Sequence, residues 1–142
     1  MGPGRQLEAE YVATGKARLI WRNLAFLGDE SIRGAEAAEC AADQGKFWEY
    51  RHTLFERQVP QRNAGNLSVP NLKRFADEVG MDRTRFYACV DARTHRAYVA
   101  AETEAARKLG IDRTPTLQIG SQRIQGLPAY EDLRQAVERA LG

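Results

Sequence analysis

The chain has 142 residues, a length that fits one domain with a core of its own. Its 21 basic and 19 acidic residues leave a net charge of +2, spread along the sequence, which gives no footing for nucleic acid or an anionic membrane surface. No apolar run is long enough to cross a bilayer, and Met1–Gly4 has no hydrophobic signal core behind it, so a soluble domain without a membrane span is expected.

"RQLEAEYVATGK" reads as the last turns of a helix, with Leu7, Tyr11 and Val12 near one face and Gly15 placed to stop it. "ARLIWRNLAF", residues 17–26, is a near-continuous run of strand formers and predicts a strand covered on both faces. A helix-rich middle follows. "DESIRGAEAAECAADQG" predicts an alanine-rich helix ending near Gly45, and "KFWEYRHTLFERQ" continues at helical spacing through Phe47, Tyr50 and Leu54. "PQRNAGNLS" is a loop. Ser68 and Pro70 then mark the start of a helix that Gly80 ends. Two more helices carry Asp82 and Thr94 as caps, with Gly110 as the stop. "TPTLQIG" and "QRIQG" predict a hairpin turning at Gly120-Ser121. "PAYEDLRQAVERALG" closes the chain as an amphipathic helix with Leu133, Ala136, Val137, Ala140 and Leu141 inward.

The chemistry-bearing residues are few. Cys40 and Cys89 stand 49 positions apart, match no zinc or redox spacing, and read first as two unrelated buried thiols; no Cys-X-X-Cys occurs. Thr114-Pro115 opens a strand, a position where a missing backbone donor does no harm. His52 and His95 lie on arginine-rich helical stretches far apart in sequence. They read as surface histidines, and no ligand spacing suggests a metal site. Phe47, Trp48, Tyr50 and Phe55 read as core between helices. Glu36, Glu39 and Asp43 read as a solvated acidic face.

The order helix, strand, helices, strand, strand, helix, together with "QGKFWEY" and "GIDRTPTLQIG" at this separation, resembles the DsbA-like thiol-disulfide oxidoreductases, a branch of the thioredoxin fold. "TGKARLIWRNLAF", "FADEVGMDRTRFYACVD" and "PAYEDLRQAVERAL" extend the likeness over nearly the whole chain after about residue 7. The resemblance implies one α/β domain over 1–142, with thioredoxin parts at about 5–27 and 110–142 and a helical insertion at about 29–109. It implies a cis Thr114-Pro115 bond whose loop binds an extended substrate peptide through its backbone. In the family a strand and a Cys-X-X-Cys precede the Gly-Lys found here at 15–16. Fourteen residues precede Gly15, fewer than that arrangement needs, so the first strand and the catalytic cysteines are expected before Met1.

On the same resemblance, Cys40 and Cys89 are either a second, structural disulfide in the insertion or two small apolar side chains. A catalytic role is not expected of either, since neither sits at a helix N-terminus or beside a second cysteine. Three functions stay open: a protein disulfide oxidoreductase domain, inactive as this chain; a non-catalytic peptide-binding or dimerisation module; and a relative of the kappa glutathione transferases and chromene-carboxylate isomerases. The last tend to carry valine before the proline, where this chain has Thr114. The implied partners are extended polypeptides bearing thiols or disulfides, or a second copy through bare strand edges. No cofactor is implied, and the family suggests a bacterial periplasmic or secreted setting.

Overall fold

A computed structural model describes residues 2–142. Among the described residues, seven α-helices and one hairpin fall into two compact units, residues 2–22 with Arg107–Gly142, and Asn23–Ala106.

In the first unit, α1 (Pro3–Leu7) opens with proline in its first turn and runs on as a wider π-helical stretch, Glu8–Val12. There the Ala13 N–H reaches back five residues to the Glu8 carbonyl, 2.8 Å away. Gly15 follows in the left-handed region, as the sequence suggests. Strands β1 (Thr116–Ile119) and β2 (Gln122–Gln125) pair antiparallel, Leu117 opposite Ile124 and Ile119 opposite Gln122. Gly120 takes φ +57°, the left-handed conformation required at the first residue of such a two-residue turn. Helix α7 (Tyr130–Leu141) turns Leu133 and Val137 against Leu7 and Tyr11, and Leu117, Ile119 and Ile124 cover this cluster. The Tyr11 hydroxyl donates to Glu138, a bond that raises its pKa. Ala140 and Leu141 stay exposed, so the buried stripe of α7 ends one turn earlier than its sequence implies.

The second unit is helical. Helices α2 (Asp29–Ala42), α3 (Phe47–Glu56), α4 (Val69–Val79) and α5 (Arg83–Ala92) enclose a core of Ala37, Ala38, Cys40, Ala41, Tyr50, Leu72, Phe75, Ala76, Phe86 and Val90. The alanines of α2 keep its inner face low, which lets the large rings of its neighbours approach. Tyr50 lies wholly inside, edge-on to Phe86 with ring centroids 5.3 Å apart, and its hydroxyl donates to the Leu72 carbonyl at 2.9 Å. Burial raises its pKa. Phe47 packs against this core, whereas Trp48 and Phe55 lie at the surface, so the aromatic set divides between inside and outside. Helix α6 (Arg96–Lys108) starts two residues beyond Thr94.

Capping and glycine or proline placement explain several helix bounds, though the Ser68 side chain makes no cap bond. The Asp82 side chain accepts from the Arg85 N–H, and α4 begins after Ser68, has Pro70 in its first turn and ends at Gly80 with φ +76°. The start of α2 has no side-chain cap of its own. Asn63, from the loop before α4, supplies one: its Oδ1 accepts from the Glu30 N–H and its Nδ2 donates to the Leu27 carbonyl. Glu30 returns the favour by accepting from the N–H groups of Gly65 and Leu67.

Residues 17–26 form no strand, contrary to the expectation from their apolar run. A strand needs a ladder partner, and the sheet described here holds only β1 and β2. Within the second unit the segment's backbone turns to side chains of α6 instead. The Asn23 N–H donates to Glu102 Oε2 at 2.9 Å and the Ala25 N–H to Thr103 Oγ1 at 3.0 Å. The Asn23 side chain is buried and donates to both Glu39 and Glu102.

Candidate functional site

Gly110, in the left-handed conformation, ends α6 and sends the chain into an exposed loop, Asp112 to Pro115. The Thr114-Pro115 bond is cis. Two hydrogen bonds hold the loop from its far side: Gly126 N–H donates to the Pro115 carbonyl at 2.8 Å, and Thr116 Oγ1 donates to the Arg113 carbonyl at 2.6 Å. Arg123 Nη1 anchors the approach by donating to the Leu109 carbonyl at 2.8 Å. Asp112 and Arg113 pair with each other, which lowers the Asp112 pKa. Among the described residues, the N–H and C=O of Thr114 find no hydrogen-bond partner. They face solvent. Two large apolar side chains adjoin this loop along the chain and its bonds: Leu109 is 62% exposed, and Leu127, next to Gly126, is 83% exposed. An exposed backbone donor and acceptor with apolar neighbours is the chemistry that takes an added extended peptide.

The other sequence candidates gather in the helical unit. Cys40 and Cys89 are joined by a disulfide with Cα atoms 5.9 Å apart, tying α2 to α5. Cys40 is 1% exposed, whereas Cys89 reaches the surface. His95 lies beside them: one donor atom from each of Cys40, Cys89 and His95 falls within 4.8 Å of the other two. Its Nε2 is 2.7 Å from Asp43 Oδ2, and the same carboxylate oxygen is 3.8 Å from Cys89 Sγ. His95 is therefore no isolated surface histidine. The spacing in sequence hides this convergence, because helix packing supplies it. His52 lies elsewhere on α3.

The acidic residues of α2 also differ from the expected solvated face. Glu36 is buried and takes a two-pronged bond from Arg93, with Nε 3.0 Å from Oε1 and Nη2 2.6 Å from Oε2. That pairing raises the Arg93 pKa. Glu39 accepts from Asn23, and only Asp43 is largely open to water. No described helix is long and apolar enough to cross a membrane.

A family model described as thioredoxin matches residues 4–139. The chain is 31% identical over 138 residues to the Na(+)/H(+) antiporter NhaA 3 of Salinispora tropica, a match covering 96% of this chain and 20% of that protein. Against disulfide bond formation protein D of Bacillus subtilis the identity is 21% over 145 residues, covering 96% of this chain and 62% of that protein. The crystal structure of oxidised BdbD from Bacillus subtilis superposes with a TM-score of 0.86 at 20% identity, covering 96% of this chain and 75% of that one, which shows the thioredoxin-like fold with its helical insertion. The chain thus spans a fifth to three fifths of the curated relatives it matches. The family model covers nearly the whole chain, and the chain belongs to the thioredoxin family.

Proposed function

We propose that this chain serves protein thiol-disulfide exchange as the part that seats the client, with the Thr114-Pro115 loop as the seat. The observation that carries the reading is the Thr114 backbone, which has no hydrogen-bond partner among the described residues, in a loop adjoined by the exposed Leu109 and Leu127. An extended polypeptide adds there by backbone hydrogen bonds that are indifferent to sequence, while the apolar neighbours hold its side chains. The second edge of β1, which no described strand covers, offers a further place for a client strand or a second copy of the chain. The two cysteines of this chain are joined to each other, and the Asp43 carboxylate beside Cys89 disfavours attack on that bond by a client thiolate. We read the oxidised chain as a docking domain rather than a turnover unit. The disulfide and the disulfide-forming relatives favour a periplasmic or secreted setting.

Nuclear magnetic resonance titration with an extended cysteine-containing peptide tests the seat. Shifts are expected at Thr114, Thr116, Gly126 and Leu127, and Thr114→Pro, which removes the donor, is expected to weaken them. Shifts confined to other surfaces would exclude this loop as the seat. Insulin reduction by the oxidised chain is expected to match buffer.

The antiporter likeness favours a second reading, in which the domain serves a longer transporter chain. Peptides from a transporter's exposed segments binding at the same loop, in preference to cysteine-bearing clients, would favour it.

A further inference from the structure

Cys40, Cys89, His95 and Asp43 stand together on the helical unit, and client seating uses none of them. Sulfur, imidazole and carboxylate are the donors of zinc-class ions. With metal bonds of about 2.3 Å to sulfur and about 2.0–2.1 Å to nitrogen, tetrahedral ligands sit about 3.4–3.8 Å apart. Asp43 Oδ2 already lies 3.8 Å from Cys89 Sγ, and the His95 donor is within 4.8 Å of both sulfurs. Ligation needs the two sulfurs to part from bonding distance to about 3.8 Å and the Asp43 carboxylate to turn in toward them.

Asp43 decides between two uses of this spot. The other use is a second exchange centre, with the disulfide attacked at the accessible Cys89 sulfur. The incoming group is then a thiolate, and the Asp43 carboxylate repels it. The same carboxylate attracts a cation. Its contact with Cys89 is not a hydrogen bond in the oxidised chain, since a disulfide sulfur has no proton to donate.

We propose that reduction of Cys40–Cys89 creates a site for a zinc-class divalent ion, held by both sulfurs, a ring nitrogen of His95 and the Asp43 carboxylate. A dithiol supplies the two electrons: it leaves as a disulfide, and Cys40 and Cys89 become thiols. The ion then displaces the two thiol protons to solvent, with no further electron transfer. Disulfide and metal exclude each other because the same sulfurs serve both, so the site is gated by redox state. It stands whether or not the Thr114-Pro115 loop seats clients.

The test is a zinc titration of the oxidised chain and of the chain reduced with a phosphine, read by competition with a chromogenic chelator. Cadmium serves as a second probe, since its thiolate charge-transfer absorbance reports sulfur ligation. The reduced chain is expected to bind one ion and the oxidised chain none. His95→Gln and Asp43→Asn are each expected to weaken binding by the reduced chain at least about tenfold. Both variants are purified oxidised and checked by circular dichroism, so their fold is established before reduction. Undiminished affinity in His95→Gln would reduce the finding to a plain dithiol and overturn the site. Failure of the reduced chain to take up zinc or cadmium, or equal uptake by the oxidised chain, also overturns it.

Discussion

Arg93→Ala separates the two demands that meet at the end of α5. Arg93 is the residue after the helix, in the left-handed region at φ +52°, and its guanidinium holds the buried Glu36 by two hydrogen bonds. Removing it leaves a carboxylate that is 3% exposed without its counter-charge. Breaking a buried pair from one side costs about 3–5 kcal/mol. Because 27% of the Arg93 side chain is in solvent, the low end, about 3 kcal/mol, is expected. The backbone adds a second quantity. A non-glycine residue in the left-handed region costs about 1–2 kcal/mol, and glycine gives back part of that gain through its looser unfolded chain. Arg93→Gly is therefore expected to be about 0.5–1 kcal/mol more stable than Arg93→Ala. Urea unfolding of the oxidised chain, followed by circular dichroism at constant m, gives all these values. A double-mutant cycle with Glu36→Gln isolates the pair, with a coupling of about 2 kcal/mol expected, against about 0.2–1 kcal/mol for exposed pairs. Coupling within that surface range, or Arg93→Ala within about 0.5 kcal/mol of the parent, would refute the account.

Other substitutions probe the remaining joints. At Gly28, with φ +103°, an added Cβ falls 2.3 Å from Asn63 Nδ2, so Gly28→Ala is expected to cost more than about 1 kcal/mol. Asn63→Ala loses the cap of α2 at about 1 kcal/mol, and the double variant, measured by thermal unfolding, is expected to lose less than the sum, since the clash needs both partners. Reducing Cys40–Cys89 opens a 49-residue loop and is expected to lower stability by up to about 4 kcal/mol, read as a fall in the urea midpoint at unchanged pH. Glu131 accepts hydrogen bonds from Arg134 and then Gln135, which hold its pKa down at about 2 against an ordinary 4.5. Its support for the start of α7 is present above pH 4.5 and lost as pH falls toward about 2. Glu131→Gln is expected to flatten that part of the acid-unfolding curve.

The helical unit was the readable part of the sequence, because its signals are local. Pro70 and Gly80 bound α4 by backbone chemistry that needs no distant partner, and the Asp82 side chain caps α5 locally, whereas Ser68 takes the cap position without a cap bond. The hairpin was equally legible from Gly120. Residues 17–26 misled because an apolar run states a wish for cover but names no ladder partner, and the side chains of Glu102 and Thr103 took the backbone instead. Glu36 looked solvated on its own helix, since the arginine that buries it lies 57 positions on. His95 joined Cys40, Cys89 and Asp43 for the same reason. The Thr114-Pro115 loop came from family likeness, and its open backbone came only from the fold.

The link between α3 and α4 has a practical use that follows from where its bonds fall. Residues 58–62 are exposed and their backbone carries little of the structure, whereas Asn63, Gly65 and Leu67 grip the start of α2, and Asn66 Nδ2 reaches back to the Arg57 carbonyl at 2.7 Å. The clasp thus closes just after an open stretch. A peptide tag, a fluorophore-bearing residue or a foreign epitope placed after Gln61 extends a free arc and leaves the clasp shut. The same graft three residues later pries it apart and unseats α2. An exposed tip and a tethered root, a few residues apart, make this the natural port for attaching a reporter to the domain.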